Sequence, residues 1–431
     1  MVPEPEPEPD AFEPEPEPDG FPGDKCPARM PDLSAHHTLM AQVLREHPEL
    51  YERHRDGVSS AGVPFARCIK TGMDHKGHPR VKMVGLVAGD PDCYHAFSDL
   101  FNPVIEARHF GWKAEEQLHQ TELEPAGVLD RQIFQPRDPE SDAPVYVRSV
   151  RLRSARSIEG FRFPPACSRS ERREIERLSA AALQSLEGNL QGTYYPLPGS
   201  LSYAEMPSGT PQEDVDRLRA CGYLFEPPTS STVRSSGMDR DWPDARGVFC
   251  SDPPADGGAE QGTLLVWVNE EDHVRLMALE RGPDMRAAFE RFAAAASGLE
   301  KALLQSGHCF ARTDHLGYLL TCPSNLGTGL RVSVSVSLPQ LSALPKYTKS
   351  CRALMLDSRP DRARPGVFEL SNLERLGKTE VELVNTVILG VEALVNLEQR
   401  LDAGEATELV AAELVKIALG LTVPSASGGT T

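Results

Sequence analysis

The sequence lacks several features that would place it in a membrane or outside the cell. It has nine cysteines but no C-x-x-C pair, so neither a disulfide framework nor a zinc knuckle is indicated. The longest apolar stretch, Val384 to Leu397, is interrupted by Asn385 and Glu392 and falls short of a membrane span. The first thirty residues show neither a secretory leader nor an arginine-rich transit peptide. We therefore expect a cytoplasmic protein.

Basic residues are also in short supply. The 431 residues include 63 acidic and 45 basic side chains, and the formal charge of −18 argues against binding to nucleic acid. Nearly half of that charge lies at the N-terminus, where Pro3 to Pro18 is an alternating Glu-Pro repeat that disfavours helix and sheet. We expect residues 1–30 to be a disordered acidic tail, which either aids solubility or docks on a basic partner.

The rest of the chain has enough apolar residues for a large core, and its patterns indicate an α+β protein of two domains. Residues 285–303 carry apolar side chains at helical spacing, whereas Arg331 to Leu338 alternates as a strand does. The stretch 136–144, PRDPESDAP, has the composition of a linker. The expected division is an α-helical domain at residues 31–120, a linker at 121–144, a larger domain at 145–420 and a flexible tail at 421–431.

An arginine-rich run, VRSVRLRSAR, begins the larger domain. On a strand, Ser149, Arg151 and Arg153 would project from one face. Guanidinium groups suit phosphate oxygens because each offers paired donors and a permanent charge. The run therefore indicates either a phosphate site or an ordinary solvated strand face.

Two further stretches could carry chemistry. The carboxylates of Glu270, Glu271 and Asp272 follow an apolar run, and such crowding is costly without nearby cations. It indicates a helix-capping cluster or a metal or base site. Cys322 precedes a Gly-rich turn at residues 323–330, where it is either an inert buried cysteine or part of a site.

Several motifs, taken together, resemble the phosphagen kinases (ATP:guanidino phosphotransferases), and within that family the creatine kinases. They are DLFNPVIEARH, GTYYPL, RDWPDARG, NEEDH, CPSNLGTGLR and PGVFELSN. The resemblance implies a small all-α domain followed by an eight-stranded antiparallel sheet flanked by helices. It also implies reversible phosphoryl transfer between MgATP and the guanidino nitrogen of creatine or another guanidino compound, by a homodimer.

The resemblance also implies roles for individual residues. Glu271 would orient the guanidino group and accept its proton, and Cys322 would lie against the guanidinium as a thiolate, its pKa depressed by Ser324. The nucleotide-binding residues would be Ser149, Val150, Arg151, Leu152, Arg153, Arg275, Arg331, Val332, Ser333, Val334 and Ser335. The guanidino substrate would contact Val81, Val84, Gly85, Trp267 and Ser324, and the water ligands of Mg²⁺ would be held by Glu270 and Asp272.

The chain departs from the family pattern at functional positions. Cys250 and Ser335 stand where the family has His, and Glu369 stands where it has Asp. Residues 356–362 replace the family's mobile Gly-rich loop, and residues 154–155 replace Thr-Gly. Because phosphoryl transfer depends on placement, two hypotheses stand: an active guanidino kinase, and a catalytically weakened paralogue that binds nucleotide or acts as a scaffold.

Overall fold

The computed structural model describes residues 20–135, 144–251 and 262–421. The Glu-Pro repeat and the linker stretch at 136–143 therefore lie outside the described residues, and so do 252–261 and the last ten residues.

The small domain is helical, as expected. Its helices are α1 (Leu39–Glu46), α2 (Glu49–His54), α3 (Phe65–Asp74), α4 (Cys93–Ala96) and α5 (Ser98–Arg108). Thr38 caps α1, its hydroxyl accepting a hydrogen bond from the Ala41 N–H. The apolar faces of the helices enclose one core, which includes Met40, Ile69 and Phe101.

The segment at residues 20–28, here called the N-terminal strap, is packed on this domain, although the sequence analysis assigned it to the acidic tail. Phe21 and Cys26 are buried in the helical core. The Tyr51 hydroxyl donates to the Pro27 carbonyl at 2.8 Å. Two buried apolar side chains thus anchor the strap. The high proline and acid content of residues 1–30 as a whole gave no sign of them.

The larger domain contains an eight-stranded antiparallel sheet, which confirms the expected fold. The strands are β1 (Val147–Arg156), β2 (Thr193–Pro196), β3 (Gly247–Cys250), β4 (Thr263–Val268), β5 (Val274–Arg281), β6 (Arg312–Thr313), β7 (Gly317–Tyr318), β8 (Arg331–Ser337), β9 (Leu356–Pro360) and β10 (Val367–Asn372). The sheet order is β2-β3-β4-β5-β1-β8-β10-β9, and β6 and β7 form a separate pair.

Helices flank this sheet. They are α6 (Arg169–Gln184), α7 (Gln212–Ala220), α8 (Ser231–Ser236), α9 (Met285–Gln305), α10 (Tyr347–Ala353), α11 (Glu380–Asp402) and α12 (Thr407–Ala418). On β1, Val150 and Leu152 join Phe289 of α9 and Val387 of α11 in the core. Because side chains alternate along a strand, the polar residues of β1 occupy the opposite face of the sheet.

Helix α11 contains the longest apolar stretch of the sequence. Val384, Ile388, Val391 and Val395 are fully buried, so the stretch serves as core. Within the described ranges, no helix is both long and apolar enough to cross a membrane.

The first half of the expected linker is packed against the larger domain. Val128 and Phe134 are buried in its core. The Glu122 N–H donates to the carboxylate of Glu380 at 2.9 Å, and the Leu129 N–H donates to the Asn385 side chain. Residues 121–135 therefore connect the domains along the start of α11.

Candidate active site

Two cavities lie close to the residues singled out by the sequence. The first, here called the sheet cavity, has a volume of about 550 Å³ and lies on the polar face of the sheet. Ser149 and Arg151 of β1 and Ser333 and Ser335 of β8 line it. They meet because β1 pairs with β8 in a register that sets Arg151 opposite Ser333 and Ser149 opposite Ser335.

The alternation of these strands divides the predicted nucleotide-binding residues. Leu152, Val332 and Val334 are fully buried in the core behind the sheet, so their side chains do not line the cavity. Val150 borders the cavity, but its side chain is also buried in the core. These four residues could contact a ligand only through their backbone.

A single carboxylate joins two of the predicted arginines. Glu369 of β10 accepts a hydrogen bond from Arg151 Nη2 at 2.6 Å and one from Arg331 Nη2 at 2.9 Å. Arg153 lies directly opposite Arg331 on the paired strand. Burial, together with the charges of Arg151, Arg331 and Arg275, lowers the pKa of Arg153 to about 10. The cluster is therefore crowded with positive charge, which an anion would relieve.

Arg359 lines both the sheet cavity and the second cavity. It belongs to β9, where it lies opposite Glu369 of β10. Its Nε donates to Asp357 at 2.8 Å, and its side chain is 62% exposed. The segment that replaces the family's Gly-rich loop is thus an edge strand, and it carries a guanidinium to the junction of the two cavities.

The second cavity, here called the interdomain cavity, has a volume of about 410 Å³. From the larger domain, Glu271, Cys322 and Ser324 line it, and from the small domain Val84 and Gly85 do so. The structure thus brings together five of the residues predicted for catalysis and substrate binding.

Two predicted substrate contacts lie outside the lining of this cavity. The Val81 side chain is on the surface, with 56% of the residue exposed. Trp267 packs on Phe225, and its Nε1 donates to the Tyr223 carbonyl at 2.8 Å. Its link to the site is indirect, since the Arg275 guanidinium lies 5.9 Å from the centre of its ring.

The predicted carboxylates sit on a tight turn between β4 and β5. Asn269 starts the turn with a φ of 57°, and its Nδ2 donates to the buried carbonyls of Arg172 and Ala245. Four residues on from Glu271, Arg275 Nη2 contacts Glu271 Oε2 at 2.7 Å and Glu270 Oε2 at 2.9 Å. One arginine therefore balances two carboxylates.

Glu270 and Asp272 are the two carboxylates that the resemblance assigns to the water ligands of Mg²⁺. Burial, with repulsion from Glu271, raises the pKa of Glu270 to about 7 and that of Asp272 to about 6. Asp272 Oδ1 accepts from the Thr321 N–H at 2.8 Å, whereas its buried Oδ2 accepts no hydrogen bond from the described residues. Crowded oxygen donors of this kind fit the water shell of a hard cation. In the described part of the chain, no group of three or more His, Cys, Asp or Glu side chains could hold a metal ion.

Cys322 lies beside Ser324, with 3.0 Å between Sγ and Oγ. Burial raises the pKa of the Cys322 thiol, and the nearby carboxylates of Glu271 and Asp272 raise it further. Hydrogen bonds from Ser324 act in the opposite direction, as expected, but they do not outweigh burial. The expected net depression of the Cys322 pKa is therefore absent, because burial outweighs the hydrogen bonds from Ser324.

Replacing Ser324 with Ala is expected to slow the alkylation of Cys322 at pH 8 by roughly three- to tenfold, the effect of losing about one hydrogen bond to the thiolate. A higher thiol pKa leaves a smaller thiolate fraction at that pH, and the thiolate is the nucleophile. Iodoacetamide labelling followed by peptide mass spectrometry gives the rate at each cysteine. Exposed Cys309 is the internal control. Equal Cys322 rates in the two proteins would contradict this role of Ser324.

Two arginines of the interdomain cavity were missed, although both lie in or next to the quoted motifs. Arg108 and Arg375 line the cavity near Cys322. Arg375 Nη1 donates to the Ser324 carbonyl at 2.9 Å. Burial, together with the charges of Arg108 and Arg331, lowers the pKa of Arg375 to about 9. A single arginine that is not part of an arginine-rich run has no sequence pattern that marks it as a site residue.

Cys250, which the sequence analysis placed at a lost nucleotide contact, lies in β3 and is fully buried. It packs with Val248, Leu265 and Met277 in a second apolar cluster, which lies on the same face of the sheet as Arg153 because Met277 is opposite both Leu265 and Arg153. Within the described residues it lines neither cavity.

Known proteins match this chain over most of its length. The family model described as ATP:guanido phosphotransferase, C-terminal catalytic domain, matches residues 174–401, and that of the N-terminal domain matches residues 34–106. Creatine kinase M-type from Gallus gallus is 43% identical over 380 residues, which is 87% of this chain and 92% of that protein. The corresponding protein from Oryctolagus cuniculus is 42% identical over 383 residues, 88% of this chain and 93% of that protein.

Solved structures agree. The crystal structure of lombricine kinase matches with a TM-score of 0.77 at 35% identity, covering 89% of this chain and 98% of that one. The substrate-free duplicated taurocyamine kinase from Schistosoma mansoni matches with a TM-score of 0.72 at 30% identity, covering 86% of this chain and 48% of that one. The chain therefore belongs to the ATP:guanidino phosphotransferases, the phosphagen kinase family.

Proposed function

We propose that the protein is a creatine kinase, which reversibly transfers the γ-phosphoryl group of ATP to the guanidino nitrogen of creatine. One observation carries the proposal: a cluster of arginines in and beside the sheet cavity ends at Arg359, which also lines the cavity that holds Glu271 and Cys322. A polyanion in the first cavity would thus present its terminal group to a substrate in the second.

The sheet cavity is the proposed site of ATP or ADP. Arg151 and Arg331 now share Glu369, and the phosphate oxygens would take over these donors. Arg153, Arg275 and Arg359 would add charge along the path of transfer. Ser149, Ser333 and Ser335 line the cavity with hydroxyl groups, which suit the polar parts of the nucleotide.

The interdomain cavity is the proposed site of the guanidino substrate. Glu271 would hold the guanidinium in line with the phosphoryl group and accept its proton as the new bond forms. Cys322 would contact the guanidinium from another side, and Val84 with Gly85 would close the cavity from the small domain. Mg²⁺ bound to the nucleotide would neutralise charge on the transferring group, with its water ligands held by Glu270 and Asp272.

Creatine is proposed as the substrate because the two sequence relatives named above, at 43% and 42% identity, are creatine kinases. The structural relatives are named for lombricine and taurocyamine, which makes these compounds the natural competitors. We also propose, by analogy with this family, that the protein is a cytoplasmic homodimer. Light scattering coupled to size-exclusion chromatography would measure the mass of the particle in solution.

A coupled assay decides the substrate. The purified full-length protein is given MgATP with creatine, taurocyamine or lombricine, and the release of ADP is followed for each. Creatine is expected to give the highest kcat/KM. A higher value for another compound would overturn the assignment of creatine but keep the kinase. If none of the three compounds is turned over faster than by a Glu271→Gln variant, the proposal that the protein is a kinase is overturned.

The second candidate is a weakened paralogue that binds nucleotide. The observation that favours it is that the arginines are already paired with carboxylates. Glu369 accepts hydrogen bonds from Arg151 and Arg331, and Asp357 forms an ion pair with Arg359. Nucleotide must displace both carboxylates to be held for transfer. An MgADP-dependent rise in melting temperature without turnover would support this candidate, and its absence would count against both.

A further inference from the structure

One carboxylate, that of Asp74, joins three segments that are far apart in the sequence. Asp74 ends α3, and its Oδ1 accepts from the Phe21 N–H of the N-terminal strap at 2.6 Å. Its Oδ2 accepts from the hydroxyl of Ser235, in α8 of the larger domain. The ammonium of Lys70, one turn back on α3, lies 3.1 Å from the same oxygen.

The groups around Asp74 are largely withdrawn from water. Lys70 is 1% exposed, and its ammonium also donates to the Phe21 carbonyl. Lys70 and the two donors therefore satisfy a carboxylate that solvent reaches only in part. Because a hydrogen bond to a charged acceptor is about twice as strong as a neutral one, each of these contacts holds its segment firmly.

Close packing in the same region fits the strap to α3 and to the end of α8. A Cβ on Gly23 of the strap would lie 2.5 Å from the Arg67 Cζ of α3. Gly237, which ends α8 with a φ of 80°, lies on the other side, where an added Cβ would be 3.0 Å from Arg67 Nη1. Arg67 thus lies between the strap and the larger domain, and its guanidinium would have to shift to admit a side chain at position 23.

The interface between α3 and α8 forms one wall of the interdomain cavity. Thr71 of α3 donates through its hydroxyl to the Thr232 carbonyl of α8 at 3.1 Å, and both residues line the cavity. His75, next to Asp74, and Val233, two residues before Ser235, line it as well. Any shift of α8 against α3 would change the width of the cavity at this wall.

We propose that Asp74 is a positioning residue that ties α8 of the larger domain to α3 and the N-terminal strap, and so sets the guanidino-binding wall of the interdomain cavity. The expected effect on the binding of the guanidino substrate rests on the proposed function. The contact of α8 with α3 and the strap through Asp74, here called the tie, is independent of that function. The strap lies outside the span of the N-terminal family model, residues 34–106.

The test compares two neighbouring serines. In Ser235→Ala, α8 loses its hydroxyl contact with Asp74, whereas in Ser236→Ala it loses a hydroxyl that donates to the Val233 carbonyl within the helix. Both positions are buried, so the pair controls for loss of a buried hydroxyl. We expect Ser235→Ala to raise the KM for the guanidino substrate by about three- to tenfold, the effect of one lost hydrogen bond, with kcat and the KM for MgATP nearly unchanged. Ser236→Ala is expected to retain the wild-type KM.

Hydrogen exchange separates the tie from the kinase reaction. In the full-length protein without ligand, peptides that cover α8 are expected to exchange faster in Ser235→Ala and in Asp74→Asn than in Ser236→Ala. Equal exchange in all of these proteins would overturn the tie, whether or not the protein is a kinase. Faster exchange with an unchanged KM for the guanidino substrate would overturn the positioning role. If none of the guanidino compounds turns over, the proposed function fails while the exchange result still decides the tie.

Discussion

Replacement of Glu271 with Gln is expected to lower kcat by about 10²–10⁴-fold, the usual contribution of a positioned general base. Gln keeps the shape of the side chain and can still accept a hydrogen bond from Arg275, but it cannot take a proton from the guanidino nitrogen. The guanidino group also loses the negative charge that orients it. The loss should therefore spare nucleotide binding, since Glu271 lines the interdomain cavity and not the sheet cavity.

The measurement pairs steady-state kinetics with nucleotide binding. The coupled assay gives kcat, and titration calorimetry with MgADP gives the affinity of the sheet cavity, which we expect to change little. Glu290→Gln makes the same substitution on the exposed face of α9 and is the control. A Glu271→Gln protein with near wild-type kcat would remove Glu271 from the proposed chemistry. A protein that has also lost MgADP affinity would point instead to a disturbed site.

The sequence predicts the parts of the site that are local. Glu271 and Asp272 are neighbours, and Ser149 and Arg151 need only the alternation of one strand to share a face. The eight-stranded sheet follows from the resemblance of whole motifs, because the alternating pattern at residues 331–338 predicts a strand but not its neighbours.

The parts that were missed depend on contacts between distant segments. Glu369 lies 218 residues from Arg151, and no periodicity signals that one carboxylate joins two arginines. Arg375 enters the site through the Ser324 carbonyl, 51 residues away. For Cys322 the sequence supplied the partner, Ser324, but not the extent of burial, and burial decides the direction of the pKa shift.

The strap is a segment for which the sequence predicted too little structure. Composition assigned residues 20–30 to the tail, because proline and acids dominate the segment as a whole. Phe21 and Cys26 nevertheless bury apolar surface, which favours packing at about 25 cal/mol for each Å² withdrawn from water. Average composition therefore locates a tail but not the residue at which the fold begins.

Replacement of Arg331 with Ala is expected to lower kcat/KM by about 10²–10³-fold, the scale of losing one preorganised donor to charge that develops in the transition state. Arg331 is 13% exposed on its side chain, so its guanidinium acts where water screens it little. Its removal also leaves Arg151 as the one arginine of this pair bound to Glu369, so Arg151 is held more tightly by that carboxylate.

Arg331→Lys keeps the charge but loses the fork of paired donors, and its activity should fall between those of wild type and Arg331→Ala. The coupled assay with MgATP varied measures all three proteins, with Arg177→Ala, an exposed arginine paired to Glu174, as the control for loss of a surface charge. An Arg331→Ala protein as active as this control would show that the transferred group is held by other residues.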